Sequence, residues 1–100
     1  VLDVRFIPNP YYVASLKKLT GNNKKVAQYV MKQDITQEFA NRLYEIIIRL
    51  VPCYIKEGKY SLTIAFGCTG GQHRSVALAN EFYKRFNQTG WRVTLEHREL

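Results

Sequence analysis

The run Gly67-Cys68-Thr69-Gly70-Gly71-Gln72-His73-Arg74-Ser75 concentrates most of the chemistry in this sequence. It follows a nearly continuous apolar stretch, Tyr60 to Phe66, and precedes a segment with helical spacing. Glycines at a strand end let the backbone turn tightly and bring amides toward a ligand. The helix that follows adds the positive end of its dipole. Thr69 and Ser75 supply hydroxyls, and His73 and Arg74 supply further donors. All of these groups suit phosphate or another small oxyanion. The same run also suits a tight strand-to-helix turn that binds nothing.

The loop is not a Walker A sequence. That pattern needs Lys after its second Gly, and Gln72-His73-Arg74 follows Gly71 instead. Nor is it GxGxxG. Cys68, five residues, Arg74 and Ser75 do match the spacing of a cysteine-dependent phosphatase loop. There a thiolate attacks phosphorus while amides and an arginine hold the oxygens. Such an enzyme also needs a general acid. The sequence holds two aspartates, Asp3 and Asp34, and neither falls in an obvious mobile loop. Cys68 equally suits a small, half-buried residue at a strand end. Cys53, after Pro52 on a helix, reads as core filling.

Asp3 and Arg5 lie two apart and share one face of a strand. A first strand parallel to the second would bring Asp3, Arg5 and Asn9 to the loop, at the carboxyl edge where open α/β sheets bind ligands. Asp3 could then accept from a sugar hydroxyl or an amine, with Arg5 and Asn9 orienting the ligand. Alternatively, Asp3 and Arg5 form an internal pair that supports the turn.

The elements that must position these groups follow from periodicity. Val1 to Ile7 alternates as a strand and Pro8-Asn9-Pro10 stops it. Tyr11 to Asn23 reads as loop with a short helical turn. Asn23 caps a helix to about Gln33, with Val26, Tyr29 and Val30 inward. Asp34 or Thr36 caps a longer helix whose stripe is Phe39, Leu43, Ile46, Ile47, Leu50 and Val51. Pro52 should kink or end it, and Gly58 closes the segment. Val76, Ala79, Phe82, Tyr83 and Phe86 define a third helix, ended by Gly90. Arg92 to Glu96 alternates as a last strand. The order β-α-α-β-α-β implies an α/β domain with a mainly parallel sheet and flanking helices.

Composition bounds the partners. The 100 residues amount to one small domain, 46% hydrophobic and 23% charged, which excludes a disordered tail or a collagen-like chain. No apolar run approaches the roughly 20 residues of a membrane span. Two cysteines make no disulfide framework, and there is no CxxC or closely spaced His pair for zinc. No metal site is expected, and a reducing cytoplasm is the expected location. With no initiator Met, the chain reads as a domain cut from a longer protein. A net charge of +7 favours anionic partners. Lys17, Lys18, Lys24 and Lys25 cluster near Tyr11, Tyr12 and Tyr29, as an RNA surface requires and as ordinary solvation also produces.

At DVRFIPNP, LTG, LTIAFGCTGGQHRSVALA and HREL the sequence resembles one family along essentially its whole length. That family is the C-terminal domain of the RNase adapter protein RapZ, the YvcJ-type nucleotide-binding proteins. The resemblance implies an α/β domain that follows an N-terminal P-loop domain missing from this chain. Any ATP or GTP would bind to that missing domain, leaving this one without a cofactor. It implies a non-catalytic sensor of glucosamine-6-phosphate. It also implies binding of small regulatory RNA and presentation of that RNA to an endoribonuclease. The small size of the domain separately leaves room for a homo-oligomer of the full-length protein. Family ligand positions fall on Asp3, Thr69, Gly70, Gly71, His73 and Arg74. Tyr11 stands where relatives often have His, and Gln72 where enterobacterial members tend to have Lys.

Overall fold

A computed structural model describes residues 1–59 and 61–100. Two short strands, β1 (Leu2–Asp3) and β2 (Phe66–Gly67), pair in parallel with Leu2 opposite Phe66 and Asp3 opposite Gly67. Flanking backbone bonds extend the pair, from the Leu2 amide to the Ala65 carbonyl and from the Val4 amide to the Gly67 carbonyl. The described residues also form three helices, α1 (Lys24–Met31), α2 (Asp34–Lys56) and α3 (Arg74–Phe86), of which α3 packs on β2. A 3-10 turn at Pro10–Tyr12 follows β1. The α/β class and the parallel pairing agree with the sequence.

The caps explain where the helices start. Asn23 Oδ1 accepts from the Lys25 amide at 2.9 Å and opens α1. Helix α1 stops at Met31, two residues before the expected Gln33. Helix α2 is capped by neither Asp34 nor Thr36: Gln33 is the cap residue, and Asp34 occupies the first turn. There its charge suits the helix dipole. Thr36 is fully buried and its hydroxyl has no partner among the described residues. Pro52 does not end α2, which continues to Lys56. A proline deletes one amide donor and crowds the carbonyl four residues back, and intact turns on either side carry the helix through.

The core lies where α3 packs on α1, α2 and β2. Val4, Ile7, Val26, Val30, Ala40, Ile47, Leu78 and Phe82 are buried in it. Phe66 and Phe82 approach to 5.2 Å between ring centres, and Phe86 stacks on Tyr44 at 5.4 Å. Such aromatic pairs add to the area they bury. Helix α2 outruns this core. Twenty-three residues rise about 34 Å, so Cys53, Tyr54 and Ile55 lie exposed at its end. Cys53 is therefore not core filling, and Ile46 is 47% exposed rather than inward.

The strands are shorter than their patterns. Val1 to Ile7 yields only Leu2–Asp3, and the 60–66 run yields only Phe66 and then Gly67; its first residue, Tyr60, lies outside the described residues. Arg92 to Glu96 forms no strand at all. Alternation records which side chains are half-buried, as Val93 is here. It does not supply the neighbouring edge that a ladder requires.

Candidate functional site

The carboxyl ends of β1 and β2 open into a shallow cleft of about 350 Å³. Asp3 and Arg5 stand on one side and Gly67, Cys68 and Thr69 on the other. Parallel register fixes this meeting, because Asp3 lies directly opposite Gly67. The chain then turns through Gly70 and Gly71, with φ of +78° and +65°. Residues with a Cβ rarely adopt that conformation, so these two positions need glycine. Helix α3 begins three residues later at Arg74.

Asp3 and Arg5 form a tight exposed pair. Asp3 Oδ1 accepts from the Arg5 amide at 2.9 Å, and Arg5 Nη2 donates to Oδ2 at 2.7 Å. Arg5 Nε reaches both carboxylate oxygens. These bonds, first the guanidinium and then the amide, pull the Asp3 carboxyl down to about 2.

The side chains behind the loop hold it in place. Arg74 is 4% exposed, and its Nη1 donates to the Arg5 carbonyl at 2.9 Å and the Ile7 carbonyl at 3.0 Å. Its Nε is buried without a partner among the described residues. His73, also buried, has Nε2 3.2 Å from the Lys17 carbonyl. A carbonyl only accepts, so Nε2 carries the proton. Asn9 Oδ1 accepts from the Tyr11 amide at 3.0 Å and caps the 3-10 turn.

Cys68 sits inside the loop. Its thiol donates to Ser75 Oγ at 3.3 Å and accepts from the Ser75 amide at 3.4 Å. Burial pushes the thiol up. Once the thiol ionises, the Ser75 hydroxyl donates to it, and with the Ser75 and Gly71 amides and the Arg74 charge this leaves the thiol below its ordinary value.

The structure thus brings Asp3, Arg5 and Thr69 to one cleft, beside Gly70 and Gly71. It places His73, Arg74 and Ser75 beneath the loop as its supports, and Asn9 in the turn after β1. Lys17, Lys18, Lys24 and Lys25 are exposed around the 3-10 turn and the start of α1. Lys17 Nζ lies 4.6 Å over the Tyr11 ring. Among the described residues no group of three metal-ligating side chains occurs, and no helix is long and apolar enough to cross a membrane.

Two supports escape a reading of the loop alone. Gly21 donates its amide to the Gln72 carbonyl at 2.7 Å and packs against the start of α3. Glu99 lies against Gly71: a Cβ on that glycine would stand 2.6 Å from Glu99 Cγ. Both positions fall in the short LTG and HREL stretches, which was the available signal.

A two-stranded parallel α/β unit with a glycine turn at its carboxyl edge defines an α/β domain with an edge site. The family model described as the RapZ C-terminal domain matches residues 1–100, and the chain belongs to that family. A nucleotide-binding protein of Clostridium botulinum (strain Eklund 17B / Type B) is 53% identical over 100 residues, covering all of this chain and 34% of the relative. One from Alkaliphilus oremlandii (strain OhILAs) is 54% identical over 99 residues, covering 99% of this chain and 34% of the relative. The chain spans about a third of the length of the curated relatives it matches.

Proposed function

We propose that this chain is a non-catalytic sensor domain for a phosphorylated amino sugar such as glucosamine-6-phosphate. The observation that carries the reading is the cleft where Asp3 and Arg5 face Cys68 and Thr69 at the parallel edge. Amides of Thr69, Gly70 and Gly71, with the Thr69 hydroxyl and the dipole of α3, take the phosphate. Arg5 and Asp3 take the sugar side. Buried Arg74, His73 and Ser75 keep the loop in shape, and Arg74 adds positive potential beneath it. Nucleotide binding, for which the relatives are named, belongs in this reading to the two-thirds of those proteins outside the chain. This domain then needs no cofactor and works in the cytoplasm. Titration calorimetry of the full chain with glucosamine-6-phosphate tests the reading. Saturable heat is expected, and no heat at millimolar ligand with a folded chain overturns it.

A second role follows from the exposed lysines. Lys17, Lys18, Lys24 and Lys25, with Tyr11 and Tyr29 beside them, suit RNA phosphates and bases. Such a surface would let the domain hand a small regulatory RNA to an endoribonuclease, within a homo-oligomer of the full-length protein. Affinity for RNA should fall steeply with salt, and a flat salt response overturns this role.

The cradled Cys68 thiol favours a competing reading, a cysteine phosphatase. The site argues against it. Asp3 is the aspartate in the cleft, and its carboxyl, ionised at neutral pH like any ordinary aspartate and held lower still by Arg5, has no proton to give a leaving group. Under the sensor reading, Cys68→Ser retains ligand binding. Phosphomonoester turnover that vanishes in this variant would instead establish the enzyme.

A further inference from the structure

We propose that the apolar cavity between α2, α3 and the irregular segments 61–64 and 91–96 binds a single-headed apolar anion, a straight-chain carboxylate. The cavity measures about 610 Å³ and shares no lining residue with the cleft at the strand edge. Pockets of that size hold small organic ligands. Its floor is aromatic: Phe66, Phe82, Phe86 and Trp91 follow one another at 5.2, 5.7 and 5.8 Å between ring centres. Its shape is long. The lining takes in Ile47 to Ile55 of α2, a rise of about 12 Å, and Ala79 to Phe86 of α3, about 10 Å. An alkyl chain suits that length and that apolar floor.

The charges of this face select the occupant. Ile55, Leu62 and Leu95 are exposed at the cavity, and contiguous apolar surface of this kind marks a binding site. Lys59 and Arg92 also line it, and neither forms an ion pair among the described residues. The lining includes one carboxylate, Glu96, which already faces Arg98 at 4.0 Å. A second copy of the chain would bring a net charge of +7 toward the same cations. A neutral apolar ligand would leave them unmatched. An alkyl carboxylate meets both demands, with its chain on the aromatic floor and its head at Lys59 or Arg92. Both cations are exposed, so the head adds little and the chain carries most of the affinity.

Trp91 is the only tryptophan in the sequence, and its fluorescence reports on the cavity directly. The test titrates octanoate, decanoate, dodecanoate and 1-decanol into the full chain at low salt. Affinity should rise about three- to fourfold for each added methylene. Decanoate should bind about two- to fivefold more tightly than 1-decanol. The double variant Lys59→Gln, Arg92→Gln should erase that difference and keep the dependence on chain length. Both positions are exposed, and circular dichroism checks that the variant is folded. Ala79→Phe, which fills the cavity from α3 without changing charge, should weaken decanoate about tenfold or more. An unchanged Trp91 signal in the folded wild type, or affinity independent of chain length, overturns the inference. So does a carboxylate preference that survives in the double variant, or full binding by folded Ala79→Phe. Sedimentation tests the rival occupant: a dimer of the wild type that Ala79→Phe dissolves means that a second copy covers the cavity, and this too overturns the inference.

Discussion

Arg74 Nη1 donates to the Ile7 carbonyl at 3.0 Å across 67 positions of sequence, and the same nitrogen reaches the Arg5 carbonyl. One buried guanidinium thus ties the start of α3 to the segment after β1. It holds the two walls of the cleft at a fixed distance.

Lysine cannot replace it. An ammonium on a flexible stem lacks the planar fork and would lie in the same burial with fewer bonds. Arg74→Lys should lower unfolding stability by about 2–4 kcal/mol, the cost of leaving buried polar groups poorly paired. Urea denaturation measures it. A loss confined to ligand affinity, with stability unchanged, would mean that Arg74 acts on ligand and not on the loop.

Gly21 offers a second mechanical test. Its Cα faces the start of α3 so closely that a Cβ would stand 2.6 Å from the Ala77 amide nitrogen and 2.8 Å from Val76 Cβ. Backbone cannot give way as a flexible side chain can. Gly21→Ala should therefore cost about 1–3 kcal/mol through overpacking. It should also weaken anion binding, because the Gln72 carbonyl that Gly21 holds belongs to the loop. A thermal melt equal to wild type would remove the close approach from the argument.

Asp3 predicts an acid limb. Its carboxyl sits at about 2 in the fold, chiefly through Arg5, against an ordinary aspartate value of 3.8. A depressed carboxyl contributes stability above its unfolded value and loses it as pH falls through the folded one. The contribution of the pair should therefore be intact at pH 5 and disappear between about pH 4 and 2. Thermal melts of Asp3→Asn should be flatter than wild type in that window and parallel to it above. Identical slopes would mean the exposed pair contributes nothing to folding.

The helices were legible because each buries one stripe: Val26 and Val30 of α1, and Val76, Phe82 and Phe86 of α3, are buried as their spacing requires. The loop was legible because glycine, cysteine and arginine at fixed offsets have few other uses. Strand extent was not. Arg92 to Glu96 alternates well and pairs with nothing described, since pairing depends on an edge elsewhere in space. The roles of Arg74 and His73 were also hidden. A sequence gives their donors but not the carbonyls of Ile7 and Lys17 that occupy them. Cys53 misled for a simpler reason: periodicity gives a helix's phase but not where the core beneath it ends.

Cys68 gives the sharpest local test. Its thiol lies below the ordinary range because donors from Ser75 and Gly71 and the charge of Arg74 outweigh its burial. The thiolate is the reactive form, so alkylation by iodoacetamide should accelerate with pH around a midpoint below that of a free cysteine. A Cys53→Ser background leaves Cys68 as the single thiol. Ser75→Ala removes the hydroxyl and keeps the amide, and should move the midpoint upward without abolishing reaction. If the midpoint in the Cys53→Ser background lies at or above that of a free thiol, burial wins over the loop donors. The Ser75 and Gly71 donors and the Arg74 charge would then be too weak to stabilise a thiolate within the loop.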